Sequence, residues 1–343
     1  MSHEHEITVS SLPIHQVIQD IARGFEVDFQ NKYNFYRVEL PKEVGEGHIS
    51  GIDFGDGFGL LNYNCTFHNT ITIRFTLKEI HPMKFIHCRE GKFTHTFEWD
   101  NDEREINTYE NIIVASSQRN GHLLTFAKGH KIEICSIEID RNLFLPNVEK
   151  LNIHGGDVLS NVILDINGKN KFFHRGHYSL VIHNIITSLL EGKETEIADI
   201  FFKKGKSYEM LALQWDQFYK DKSKLALNRK VNLGDFTLLH DIINYVEENL
   251  SETITLNSIE RKFNTNEKRI QLIFKTGFNT TFNAYLQNIR LEKAINLLKD
   301  PDKNITDVVY AVGLTNKSYF SKIFKEKFGL TPSQFVKEFS EHN

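Results

Sequence analysis

The sequence predicts an α+β protein of several domains: an antiparallel β-barrel first, a helical middle segment, and an all-α last third built from a duplicated unit. Three observations lead there. Short runs rich in Ile, Phe, Thr and Val crowd the region from about Tyr33 to Ile139. The apolar period turns helical from about Gly176. One helical pattern then recurs fifty residues after itself.

With 343 residues, 40% of them hydrophobic, the chain can bury two or three cores. The strand-like runs are ITIRFTL (71–77), MKFIHC (83–88), FTHTFEW (93–99), NIIVAS (111–116) and KIEICSIEI (131–139). In the first, Ile71, Ile73, Phe75 and Leu77 share one face, as a half-buried strand requires. GDG at 55–57, REG at 89–91 and RNG at 119–121 supply turns, and many short strands at that spacing predict a small antiparallel barrel or sandwich. GDGFG (55–59) lies between strands and not before a helix, so it reads as a hairpin turn and not a phosphate loop. In KIEICSIEID the apolar parity switches after Ile134, which reads as a bulge.

In the middle segment, Val181, Ile185 and Leu189, flanked by Ile182 and Ile186, form one apolar stripe. Tyr208, Leu211, Trp215 and Phe218 form a second, closed by the charged run KDKSK (220–224). Packing onto the barrel accounts for both stripes, and a subunit interface is the sharper alternative. LALNRKVNLGD (225–235) reads as a connection. The expected domains are therefore 1–150, 151–230 and 236–343.

Cys65, Cys88 and Cys135 are far apart and form no CxxC pair, so they read as reduced core thiols. The opening MSHEHEITVSSLP has no basic segment followed by an apolar run, and no stretch reaches the roughly 18 apolar residues of a membrane span. The expectation is a cytoplasmic protein with no membrane partner.

The net charge of −4 is unevenly spread. Between Thr253 and Lys337 there are 14 Lys and Arg against 7 Asp and Glu, a local balance of +7, which leaves −11 on the remainder. A basic last third on an acidic body points to a polyanion-binding module, provided geometry supports it.

The repeat supplies that geometry. On a helix from about Lys317 to Phe328, Phe320, Ile323, Phe324 and Phe328 gather on one side and Ser318, Ser321, Lys322 and Lys325 on the other. Fifty residues earlier, Ile270, Phe274 and Phe278 take the apolar positions, and Lys268, Gln271, Leu272 and Lys275 the polar face. The apolar pairs Leu256/Ile259 and Ile305/Val308 precede each helix at an offset of 49. Each copy is a short helix, a tight turn with Asn266 or Asn316 as N-cap, and a second helix with one polar face. This is a helix-turn-helix, whose second helix fits the major groove of double-stranded DNA. The long apolar-striped segment 281–300 joins the two.

Base edges are assigned to Lys268, Gln271, Leu272, Ser318, Ser321 and Lys322. Gln suits adenine, Lys suits guanine, and Leu suits a thymine methyl. Phosphates are assigned to Lys275, Asn316, Lys317 and Lys325.

Residues of about 236–339 resemble the DNA-binding domain of the AraC-type bacterial transcription regulators. RLEKAINLL (290–298), ITDVVYAVGL (305–314), SYFSKIFKEKFGLTP (318–332) and KRIQLIFK (268–275) carry the resemblance, in order and at family spacing. It implies two reading helices on one chain, with a sensing or dimerising domain on the N-terminal side that is often a cupin-like barrel. A small-molecule effector, a second copy of the chain and RNA polymerase are the further partners implied. The family places Ala where this chain has Glu260 and Val309. It commonly has Gly where Asn279 stands, and often Arg at Leu272.

Two alternatives stand beside the regulator. An architectural DNA-bending protein would need apolar wedges for the minor groove, and none is evident. A metal-dependent cupin enzyme would need His-x-His with a following Glu and a later His. Among His81, His87, His95 and Glu98 no His-x-His occurs, and His3 and His5 lie in a terminus expected to fray. No catalytic residue, metal ligand or cofactor is assigned.

Overall fold

The computed structural model describes residues 5–77, 80–117, 120–150, 156–176, 180–190, 195–222, 233–278, 280–300 and 302–341. The chain divides into two compact units, Met1–Lys230 and Val231–Asn343. Arg119 of the RNG turn, most of the 225–235 connection, Asn279 and His3 lie outside the described residues.

The first unit begins β1 (His5–Val9), α1 (Ile14–Gly24), β2 (Gln30–Lys32), β3 (Phe35–Glu39), β4 (Gly45–Asp53), β5 (Phe58–Phe67) and β6 (Ile71–Phe75). It continues with β7 (Met83–Glu90), β8 (Lys92–Phe97), β9 (Arg104–Asn107), β10 (Asn111–Ala115), β11 (His122–Phe126) and β12 (Lys131–Ile139). Then come α2 (Arg141–Lys150), α3 (Val158–Ile163), β13 (Phe172–Gly176), α4 (Leu180–Leu190) and α5 (Glu196–Lys222).

A five-stranded sheet has the order β1-β6-β11-β8-β9, and an eight-stranded sheet the order β13-β10-β7-β12-β5-β4-β3-β2. Every pairing is antiparallel except β1 with β6. The β-rich region is therefore two open sheets among the described residues, one antiparallel and one antiparallel but for its β1 edge, and not the closed barrel. Chain passes between them at Gly91, where β7 of the large sheet leads into β8 of the small one. The residue has φ +80°, and a Cβ there would collide with the Lys131 carbonyl oxygen, so glycine is required. By contrast, GDG at 55–57 does close a hairpin, between β4 and β5, with positive φ at Gly55, Asp56 and Gly57.

The large sheet is buried on both faces at β7, β10 and β12, while its β2 end is exposed. Ile49, Leu61, Ile86, Ile112 and Ile134 pack with the small sheet and α1. Leu60, Phe85, Ile113, Cys135 and Ile137 pack under Phe144, Leu159, Ile182, Met210 and Phe218 of the helices. This two-sided burial explains the parity switch in β12: Ile132 and Ile134 face the other sheet, and Cys135, Ile137 and Ile139 face the helices. A register irregularity does occur at Glu133/Ile134, but the extra residue, Arg89, is on β7, while β12 pairs with β5 without a break.

Both middle-segment stripes pack onto the sheet. Ile182, Ile185, Ile186 and Leu189 are buried, although Val181 is on the outside. Tyr208 stacks on Phe58 at 4.4 Å and Trp215 on Phe85 at 6.2 Å. The segment beyond residue 150 also lends the large sheet its edge strand β13, paired with β10. The three cysteines are buried free thiols; burial pushes Cys65 and Cys135 up to about 12 and Cys88 further in the same direction.

The second unit is helical: α6 (Leu233–Glu248), α7 (Leu256–Lys262), α8 (Glu267–Phe278), α9 (Phe282–Leu298), α10 (Ile305–Ala311), α11 (Lys317–Phe328) and α12 (Pro332–Glu341). The repeat shows in its caps. Thr255 with Ser258 forms a capping box on α7, and Asn304 with Asp307 forms the same device on α10, 49 residues later. The turns match too: Asn264 (φ +48°) and Gly313 (φ +71°) are both left-handed, and Asn and Gly are the residues that accept this conformation most readily.

Candidate nucleic-acid interface

Helices α8 and α11 are held by the phenylalanine spacing visible in the sequence. Ile270, Ile273 and Phe274 are buried on α8, and Phe320, Ile323 and Phe324 on α11. Phe274 packs against Phe282 and Tyr285 of α9, each at 5.2 Å, while Phe324 packs against Phe328 at 4.7 Å and Phe335 of α12 at 6.0 Å. Each fully buried Phe stabilises its packing by roughly 1.5–3 kcal/mol. One face of each helix is thereby committed to the interior.

The opposite faces are open and equivalent. From Glu267 to Lys275 and from Lys317 to Lys325 the burial sequence is the same at all nine positions: three exposed, one buried, one half-buried, one exposed, two buried, one exposed. Lys268, Leu272 and Lys275 on α8 are exposed, as are Lys317, Ser318, Lys322 and Lys325 on α11 and Asn316 at its cap. Gln271 and Ser321 are half-buried at equivalent positions. Leu272 is 53% exposed, so it is not an extra core contact.

Several of these side chains have local partners. Asn266 Oδ1 accepts from the Arg269 N–H and Asn316 Oδ1 from the Tyr319 N–H, both at 2.9 Å, so both asparagines cap their helices. Gln271 Oε1 accepts the Phe282 N–H at 3.3 Å, tying the first reading helix to the start of α9. Lys317 Nζ donates to Thr306 Oγ1 at 3.3 Å. Lys322 lies 3.9 Å from Glu326, an exposed pair of small energetic weight.

Two residues not singled out in the sequence set the frame. Lys327 donates from the end of α11 to the Asn288 side chain and pairs with Glu292 at 2.5 Å, docking α11 on α9. Arg290, buried in α9, donates from Nη2 to the Glu252 carbonyl at 2.8 Å beside Gly313, so one guanidinium braces the entry to the first copy and the turn of the second. Burial lowers its proton affinity. Its signal was a lone Arg on an otherwise apolar stripe of RLEKAINLL. Helix α9, 17 residues and so about 25 Å long, is the spacer between the copies.

The first unit holds a second polar cluster, between its sheets. His81, His95 and His122 are buried, with ring centroids 5.8 Å (81–122) and 5.6 Å (95–122) apart. Lys84 Nζ sits 4.2 Å from the Phe75 ring and is paired with buried Glu138. Both ring nitrogens of His95 and His122, His81 Nδ1, the Tyr63 hydroxyl, Ser136 Oγ and Glu138 Oε2 have no protein partner among the described residues. Burial, then the Lys84 charge and Arg141, pulls His81 down to about 4. Burial, then Arg104 and Lys84, pulls His95 to about 3, and His122 also falls well below its ordinary value.

The other histidine candidates part from this cluster. His87 Nδ1 bonds Asn111 Oδ1 at 2.7 Å, and Glu98 pairs with Arg74 at 3.1 Å. Among the described residues no group of three His, Cys, Asp or Glu side chains is placed to hold a metal ion. No described helix is long and apolar enough to cross a membrane.

The family described as "Helix-turn-helix domain" matches residues 259–338. The Msm operon regulatory protein of Streptococcus mutans is 23% identical over 172 residues, covering 50% of this chain and 60% of the relative. The dual transcriptional regulator Rns of Escherichia coli is 33% identical over 122 residues, covering 34% of this chain and 46% of the relative. The transcriptional activator RhaR of Mannheimia succiniciproducens is 25% identical over 238 residues, covering 64% and 76%. The chain thus spans less than two thirds of the length of the first two; Rns and RhaR are named as transcriptional regulators and the Streptococcus protein as an operon regulatory protein. Caps, turns, buried faces and family match agree, and the chain carries an AraC-type helix-turn-helix domain over residues 259–338.

Proposed function

We propose that this chain is a sequence-specific transcription regulator whose helices α8 and α11 enter successive major grooves of one DNA duplex. The observation that carries the reading is the shared burial sequence of the two helices. It turns Lys268 and Ser318, and likewise Leu272 and Lys322, to solvent at equivalent positions while the Phe faces stay inside. Lys268, Ser318, Ser321 and Lys322 then read base edges, and Leu272 lies against a thymine methyl. Gln271 has its oxygen committed to Phe282, so it presents only N–H donors and suits a base acceptor better than bidentate pairing with adenine. Lys275, Asn316, Lys317 and Lys325 hold phosphates.

In this reading, residues 236–343 bind DNA, residues 1–150 sense, and residues 151–230 dimerise. Unpaired polar atoms around His81, His95, His122 and Tyr63 favour a small effector with several hydroxyl or carboxylate oxygens between the sheets. Exposed Ile197 and Phe201 on α5 favour pairing of two copies there. A cytoplasmic regulator of this kind acts on RNA polymerase and needs no cofactor.

The test is selection of duplexes from a random-sequence pool by the full chain, with and without cell metabolites. The expected result is two half-sites about one helical turn apart, roughly 10–10.5 base pairs. Lys322→Ala should relax preference at one base pair by on the order of 1–3 kcal/mol. Selection that enriches no sequence, or base preference untouched by both Lys268→Ala and Lys322→Ala, would overturn the reading.

A further inference from the structure

The two copies match in backbone and burial but differ at the start of their reading helices. On α7, Glu260 turns its carboxylate to the N-terminus of α8 and accepts the Glu267 N–H. Glu267, the first residue of α8, adds a second exposed carboxylate. Arg269 is held by Asp235 at 2.6 Å. Asp235, Glu260 and Glu267 against Lys268 and Arg269 leave this entrance with a formal charge of −1.

The entrance of α11 is the reverse. Asn316 caps it as Asn266 caps α8, but Lys317 stands where α8 has Glu267. Val309, at the position of Glu260, is buried in the core. No carboxylate accepts from the first turn of α11 among the described bonds, and Lys317 gives this entrance +1.

A helix N-terminus offers unsatisfied N–H groups and about half a positive charge, which is where a DNA phosphate is held. In the first copy an internal carboxylate already occupies one of those N–H groups and repels the anion. We propose that Glu260 acts as an intramolecular substitute for a DNA phosphate, weakening the α8 half-site so that affinity is carried mainly by α11. The inference rests on the regulator reading above. It makes Glu260 an affinity-setting residue that touches no base.

Glu260→Gln separates charge from shape, because the amide oxygen can still accept the Glu267 N–H. Glu267→Gln is an independent second variant that leaves the cap alone. The probe is one duplex selected from the random pool by the unaltered full chain, together with versions carrying either half-site scrambled. Glu260→Gln is expected to tighten binding roughly fivefold. The gain should vanish when the α8 half-site, identified by its dependence on Lys268, is scrambled, and should shrink as salt rises. Glu267→Gln should act in the same direction.

Equal or weaker binding by both variants, or a gain that survives scrambling of the α8 half-site, overturns the inference. If the pool yields no preferred duplex, the regulator reading itself fails and this inference falls with it. If a duplex is selected and only the Gln variants are silent, the regulator reading stands and this inference alone is lost.

Discussion

Lowering the pH from 7.5 to 5.5 should unfold the first unit far more readily than the second. His81, His87, His95 and His122 are buried between or beside the sheets, and burial is the largest cause lowering each. His81 and His87 fall to about 4, His95 to about 3. A histidine lowered in the fold stays neutral there while its unfolded counterpart takes up a proton below about pH 6.5. Its contribution is therefore complete above 6.5 and is lost as pH falls from 6.5 towards 4. At pH 5.5 each costs about 1.4 kcal/mol, so four acting independently cost roughly 5.5 kcal/mol. That is comparable with the whole stability of a typical domain, about 5–15 kcal/mol.

The assay is direct because both tryptophans, Trp99 and Trp215, are in the first unit. The midpoint of urea unfolding followed by tryptophan fluorescence should drop sharply between pH 7 and 5.5. The second unit, with only His240 and His342 in its sequence, should keep its helical circular-dichroism transition. The carboxylates with lowered values, such as Glu6 and Asp157, can contribute only as pH passes below their ordinary range near 4. A fluorescence midpoint that holds to pH 5 and falls only below 4.5 would therefore refute the histidine argument.

Lys325→Ala should weaken binding to all DNA sequences alike and flatten the plot of log affinity against log salt by about one unit, measured by fluorescence anisotropy. Gly313→Ala should cost about 1–3 kcal/mol in unfolding followed by circular dichroism, since φ is +71° and the new Cβ would meet the Leu250 carbonyl. Glu138→Leu should strand the Lys84 ammonium between the sheets and cost about 3–5 kcal/mol by tryptophan fluorescence. Adding Lys84→Met to that variant should restore most of the loss, because two apolar residues leave no buried charge behind.

The helical third was legible because its physics is local. Phenylalanines four apart, an Asn before each reading helix and a repeat at fixed spacing determine which face is inside, and one copy checks the other. The β region was less legible for an equally physical reason. Where both faces of a sheet are covered, as in β10 and β12, alternation disappears and a run such as KIEICSIEI looks like a bulge when it is a strand with two interiors. Gly91 was legible as a turn between strands, but not that the strands it joins belong to different sheets. Helix α1 and strand β13 fell outside the regions where their type of element was expected.

At the sites, long-range convergence was what the sequence withheld. Lys268 and Lys322 could be placed outward from helix period alone, but the bond from Phe282 N–H to Gln271 depends on a chain reversal eleven residues on. His81, His95 and His122 lie on three different segments, and only strand order brings them together. Glu260 is the instructive intermediate case. Its presence at a position the family gives to Ala was visible as a departure, while its meaning was not. Only the fold shows its carboxylate on the Glu267 N–H, at the positive end of a helix whose twin begins with Lys317. Duplication fixed the scaffold of both copies through buried Ile, Val and Phe, whose replacement would cost several kcal/mol each. The exposed helix entrances carry no such constraint, so they are where two copies of one clamp can acquire unequal grips on the same duplex.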